Sequence, residues 1–162
     1  LDAKSEGLLL LTTDGKLSEK IRSSQVEKEY YVQVDGLITD EAKELLRKGF
    51  EINVEGITHH TKPCEVGKLQ EEPDFPARKI PVRDDRHGPT SWIVITLTEG
   101  KFRQVRKMTA AVGFPTLRLV RVRVGNILLG DMQPGEVKEV NHEAANFSKA
   151  ANPSEGSEPS EG

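Results

Sequence analysis

Leu1-Asp2-Ala3-Lys4-Ser5-Glu6-Gly7-Leu8-Leu9-Leu10-Leu11-Thr12-Thr13-Asp14-Gly15 opens the chain, with a carboxylate, Asp2, just ahead of an apolar run that closes on an Asp-Gly pair. The run from Gly7 to Thr13 is short, uncharged and bounded by turn residues. It reads as a strand buried on both faces, although periodicity alone leaves a buried helical segment open. That layout holds a reactive group at the mouth of a buried strand.

Outward from this stretch, 162 residues are enough for one domain with a real core and too few for two ordinary ones. With 35% hydrophobic and 30% charged residues the composition is that of a soluble globular protein. No apolar run approaches the roughly 18 residues needed to span a bilayer. The single cysteine, Cys64, cannot form an internal disulfide, and beside His59 and His60 there is no metal-ligand spacing, so no structural metal is expected. The chain lacks an initiator Met, and it is expected to lack its natural beginning, which leaves any upstream domain or targeting segment open. A monomer in the cytoplasm is the expectation.

The net charge of -3 conceals an uneven distribution. Glu143, Glu155, Glu158 and Glu161 against Lys149 make the tail acidic, while residues 1–140 carry 22 basic and 22 acidic side chains. The division follows: 1–140 as one domain and 141–162 as a disordered Ser/Glu/Pro/Gly tail, unable to bury enough apolar surface to offset chain entropy.

Within 1–140, Leu17 and Ile21 at i, i+4 spacing predict a short helix over Lys16 to Ser23. Lys28 to Asp35 predicts a strand, with Tyr30, Val32 and Val34 on one face and Tyr31 and Gln33 on the other. Thr39 as N-cap, acids in the first turn, Arg47 and Lys48 in the last and Gly49 as stop predict a helix over Asp40 to Lys48. Phe50 to Val54 and Ile57 to Thr61, joined at Glu55-Gly56, and then Cys64 to Leu69 predict a hairpin or small meander. The Pro-rich stretch Glu71 to Pro89 reads as a long surface loop whose Arg78, Lys79, Arg83 and Arg86 can meet a partner. Ser91 to Thr98 predicts a strand covered on both faces. Phe102 to Val112 predicts a helix with Val105, Met108 and Val112 on its buried stripe. At about 100° per residue, Arg106 then lies nearer the buried edge than Arg103 or Lys107. Thr116 to Val124 predicts a strand with a bulge near Leu119-Val120, where the alternation changes phase, and Glu136 to Val140 a short closing strand. The fold class is therefore α+β: a mixed, mostly antiparallel sheet with a few packed helices.

The segment Lys101 to Arg123 carries seven bases and no acid in 23 positions. A polyanion is the natural partner for it.

Four blocks in order carry a resemblance. They are Leu-Asp-x-x-Ser-x-Gly-Leu-Leu-Leu-Leu-Thr from Leu1, Lys-x-Tyr-x-Val from Lys28 to Val32, Glu-Gly-Lys-Phe-Arg-Gln-Val-Arg-Lys-Met from Glu99 to Met108, and Gly-x-Pro-x-x-Arg-Leu from Gly113 to Leu119. Together they resemble the motifs of the RsuA-type pseudouridine synthases over roughly residues 1–140. The resemblance implies a catalytic domain with a central RNA-binding cleft, acting on a uridine of ribosomal RNA, expected to be that of the large subunit. Such an enzyme moves the ribose from N1 to C5 of the base without cofactor or metal. It also implies Asp2 as nucleophile, Tyr30 as the ring that stacks on the target base, and Arg106 as the partner of Asp2. Which carbon Asp2 attacks stays open. The family motif reads Gly-Arg-Leu-Asp, and that arginine is absent here. A uridine in folded RNA must be flipped out to be reached, at a cost of a few kcal/mol; Lys101, Arg103, Lys107, Arg118, Arg121 and Arg123 are the candidates for compensating phosphate contacts. A non-catalytic RNA-binding module that keeps the basic surface is the alternative.

Overall fold

Lys28–Asp35 (β2) is hydrogen-bonded along both edges, and the sheet is assembled around it. In the computed structural model, which describes residues 3–23, 25–78, 88–101 and 103–141, Thr90–Leu97 (β6) pairs antiparallel along its whole length on one side. Thr116–Val124 (β7) pairs antiparallel on the other. Glu65–Lys68 (β5) extends the sheet beyond β6, and Glu6–Gly7 (β1) extends it beyond β7 in parallel, with Ile127–Leu128 (β8) also on β7. The order is β1-β7-β2-β6-β5, a mixed and mostly antiparallel sheet. Glu51–Val54 (β3) and Ile57–His60 (β4) form a separate hairpin turning at Glu55-Gly56, both at positive φ. This is the α+β architecture read from the sequence.

The alternation of β2 divides the molecule. Val32 and Val34 are fully buried and join Ile38, Leu46, Ile93, Ile95, Met108 and Leu119 in the main core. Asp40–Lys48 (α2) contributes Ala42 and Leu46, its Thr39 hydroxyl accepting from the Ala42 amide at 3.2 Å. Gln104–Ala111 (α3) contributes Val105 and Met108. Gly15–Arg22 (α1), capped by Asp14, closes a smaller core in which Leu17 and Ile21 pack on Val26 and Val124. On the opposite sheet face, Phe75 lies 5.9 Å from both Tyr31 and Trp92, ring centre to ring centre, and the Arg118 guanidinium stands 5.9 Å from the Phe75 ring.

Three expectations are corrected. The apolar run is no buried strand from Gly7 to Thr13: pairing stops at Gly7, Leu8 is buried, and Leu9 and Leu11 are exposed, because β1 meets a partner strand along only one edge and only two residues. The bulges of β7 fall where β2 passes from Glu29 to Tyr30 and from Gln33 to Val34, flanking Leu119-Val120 rather than lying on it. Glu136 to Val140 forms no strand and is exposed. The expected tail lies outside the described residues, apart from Asn141.

Glu6 anchors β1. Its carboxylate accepts two hydrogen bonds from Arg118, at 2.9 and 2.8 Å, and one from Arg78 at 2.9 Å. Burial works against its charge, yet the two guanidinium groups hold its carboxyl below the ordinary value. Gly7 sits at φ +97°, and a Cβ there would run into the Arg121 carbonyl, so the strand can approach β7 only without a side chain. Glu6→Gln is expected to cost about 1–3 kcal/mol in urea unfolding at pH 7. Since the folded-state pKa is depressed, this stabilisation is present above about pH 4.5 and lost as pH falls through the lower folded value, so the two proteins converge in acid.

Candidate active site

Arg121 is where the pieces meet, because its backbone faces Gly7 of β1 on one side and Tyr30 of β2 on the other. Its Nε donates to the Leu8 carbonyl at 2.9 Å, and on β7 it stands directly opposite Tyr30 of β2. Burial pushes the Tyr30 phenol up, and the Arg121 cation offsets part of that rise.

Arg106 reaches the same opening segment from α3, its Nη2 standing 3.4 Å from Ser5 Oγ, three residues beyond Asp2. It is half-buried, as is Lys107, so the structure does not separate these two as helical geometry predicted, and exposed Arg103 lies just before the helix. Asp2 itself lies outside the described residues. The described geometry thus brings Tyr30 to Arg121, and both Arg121 and Arg106 to the stretch that follows Asp2.

Helix α3 is aimed by a buried network. Glu99, only 6% exposed, accepts from the Lys62 amide at 2.6 Å and from Gln104 Nε2 at 2.8 Å, and pairs with His59 Nε2 at 2.8 Å. Burial opposes its charge, but these donors hold its carboxyl below the ordinary value. Gln104 in turn accepts from the Lys101 amide at 3.1 Å, tying the turn from Glu99 to Arg103 to the β3–β4 hairpin.

The basic residues separate into two groups. Lys101 and Arg103 are exposed, and half-buried Lys107 rests its Nζ on the Asn53 carbonyl at 2.9 Å. Arg118, Arg121 and Arg123, by contrast, are engaged inside the molecule: Arg118 with Glu6 and the Pro76 carbonyl, Arg121 as described, and Arg123 with Glu27 and Glu29 at 2.9 and 3.0 Å. Of the loop bases, Arg78 joins Glu6, while Lys79, Arg83 and Arg86 lie outside the described residues. Among the described residues no helix is long and apolar enough to cross a membrane, and no cluster of His, Cys, Asp or Glu could hold a metal.

Lys28 was not singled out from the sequence, although its position two residues before Tyr30 places it on the same face of β2. It is 6% exposed, with Nζ donating to the Ser23 and Thr98 carbonyls at 3.0 and 3.2 Å. Burial first, and the Arg121 cation second, lower its pKa to about 8. The Glu99–Gln104–His59 network was equally unassigned, because nothing in the sequence pairs residues 59 and 99.

The sequence profile described as RNA pseudouridylate synthase matches residues 1–111. Ribosomal large subunit pseudouridine synthase E of Vibrio parahaemolyticus is 48% identical over 142 residues, covering 86% of this chain and 58% of that protein. The protein of the same name from Xanthomonas axonopodis is 44% identical over 136 residues, 83% of this chain and 70% of that one. A crystal structure of a pseudouridylate synthase superposes with a TM-score of 0.68 at 25% identity, covering 88% of this chain and 54% of the other. The chain belongs to the RNA pseudouridylate synthase family, and it spans 58% of the length of its Vibrio relative.

The state of Lys28 has a measurable consequence. The folded chain releases this proton near pH 8, whereas an unfolded lysine holds it to about pH 10.5. Unfolding therefore takes up a proton between those values, and stability rises with pH across that window. Chemical denaturation at pH 7, 8.5 and 10 should show wild type gaining on Lys28→Met by up to about 3 kcal/mol. Parallel curves for the two proteins would place the lysine in an unshifted state.

Proposed function

We propose that this chain is the catalytic domain of a pseudouridine synthase acting on a uridine of ribosomal RNA, that of the large subunit, in the cytoplasm. The observation that carries the reading is the convergence of Tyr30, Arg121 and Arg106 on the segment that follows Asp2. The large-subunit substrate is supported by the printed names of the relatives at 44–48% identity.

In the proposed reaction the target uridine is flipped out of the RNA, at a cost of a few kcal/mol. The Asp2 carboxylate, kept ionised and aimed by Arg106, forms a covalent link either to the ring or to the ribose. The bond from ribose to N1 breaks, the bond from ribose to C5 forms, the link to Asp2 breaks and returns its carboxylate, the proton on C5 leaves and N1 gains one. Atoms and charge balance with no oxidant, which suits a site built from a carboxylate, a phenol and cations. Tyr30 braces the flipped base with its ring, as its seat against the core allows. Lys101, Arg103 and Lys107 contact backbone phosphates. Arg118, Arg121 and Arg123 would have to exchange their present partners to do the same.

Incubation with large-subunit ribosomal RNA transcript followed by pseudouridine mapping tests the reading. Wild type should convert one uridine, Asp2→Ala should convert none detectably, and Tyr30→Ala, which removes the stacking ring, and Arg106→Ala should lose about 100-fold or more. Replacing Lys101, Arg103 and Lys107 together by Ala should weaken RNA binding and flatten its salt dependence by about 0.7 per contact removed. Salt-sensitive binding without any isomerised uridine would instead select the non-catalytic RNA-binding module.

A further inference from the structure

Strand β1 pairs over only two residues, Glu6 and Gly7, and a ladder that short fixes little by itself. Side chains supply the rest of its hold. Arg118 of β7 takes both oxygens of the Glu6 carboxylate, with Nε on Oε2 at 2.9 Å and Nη2 on Oε1 at 2.8 Å. That fork already satisfies the charge within the sheet. Arg78 is therefore surplus to neutralisation, yet its Nη1 shares Oε2 at 2.9 Å and also donates to the Lys4 carbonyl at 3.2 Å. The second contact reaches past the end of β1, to a residue two places from Asp2 in the chain.

The segment that carries Arg78 is itself fastened to the sheet. Phe75 packs against Tyr31 and Trp92, the Arg118 guanidinium stands over its ring, and Arg118 Nη2 donates to the Pro76 carbonyl at 2.9 Å. Arg118 thus grips β1 and the segment before Arg78 together, and Arg78 returns from that segment to the residues that follow Asp2.

We propose that Glu6 and Arg78 are positioning residues for the nucleophile: the knot of Glu6, Arg118 and Arg78 fixes the chain that leads from Asp2 into β1, and its two arginines make no phosphate contact. The proposal rests on the reading of Asp2 as nucleophile. An RNA phosphate that borrowed Arg78 would have to release both Glu6 and the Lys4 carbonyl, and so would loosen the chain that carries the reacting group.

Amide hydrogen exchange reads the hold without any assay of activity. Arg78 lies outside every helix and strand, so its replacement leaves the sheet intact. Arg78→Met should speed exchange of the Leu8 amide, which donates to the Arg121 carbonyl at 2.9 Å, about 10-fold, while the amides of β2 keep their protection. Arg78→Lys, which keeps a cation with donors, should recover part of the protection at Leu8. Unchanged exchange at Leu8 in Arg78→Met overturns the hold.

Kinetics on ribosomal RNA transcript supply the second arm. Arg78→Met should lower kcat about 10-fold or more through a displaced nucleophile, leave KM within about twofold, and cost less where Glu6 is already Gln. A raised KM with kcat intact, a salt slope smaller by about 0.7, and losses that simply add to those of Glu6→Gln would make Arg78 a phosphate-binding base and overturn the proposal. Faster exchange with unchanged kinetics would leave the knot a structural tie alone and overturn it as well. If wild type isomerises no uridine, the reading of the site fails, while exchange at Leu8 still decides whether Arg78 holds the segment.

Discussion

Double pairing of β2 is the constraint on which the remainder hangs. A strand bonded along both edges satisfies its backbone entirely within the sheet, and its register against each neighbour is then fixed by which face must be dry. Val32 and Val34 set that choice by burying completely, and two residues earlier on the same face comes Tyr30. A slip of one residue would turn the phenol to the face where Tyr31 now packs with Phe75. The location of the Tyr30 ring is thus a by-product of hydrophobic alternation, enforced by the whole core rather than by local contacts.

Much of this was legible in the sequence wherever the deciding interactions are local. The limits of β2, α2 and β7 coincide with the bounds read from alternation, capping residues and stop glycines, and α1 differs by one residue at each end. The fold class followed from the same elements. The half-buried position of Arg106 fits helical geometry, but that of Lys107, placed by the same geometry on the opposite side, does not. The four-leucine run misled because a continuous apolar stretch looks the same whether it enters a sheet or grazes its edge. Only the close approach of Gly7 to Arg121 shows where pairing ends.

The cations illustrate the other limit. A basic segment without acids invites the conclusion that its charges face outward, and Glu6 lies 112 residues from Arg118, too distant to be linked by eye. In three dimensions Arg118 and Arg123 neutralise acids on neighbouring strands. Such pairs, partly shielded from solvent, are costly to break singly because the survivor is left charged and unpartnered. The arginines of β7 accordingly resist being borrowed by a ligand, and the exposed turn before α3 is left as the more accessible cationic surface. Lys28 and Arg121 are the exception in kind, two cations gathered at one buried end of the sheet beside a phenol.

Arg103 adopts φ +54°, ψ +30°, a left-handed conformation in which a side chain costs about 1–2 kcal/mol relative to ordinary helix geometry. Glycine would sit there without that cost, and asparagine nearly so. The turn is nonetheless held by the Glu99–Gln104 network, which enters from the hairpin side and supplies the stability that the local backbone lacks. Buried hydrogen bonds in one region thus sustain an unfavourable torsion in another, and a cation is displayed on a stiff turn instead of a loose one. A phosphate arriving at such a group meets a charge whose freedom has already been surrendered during folding, so less entropy remains to be lost on contact.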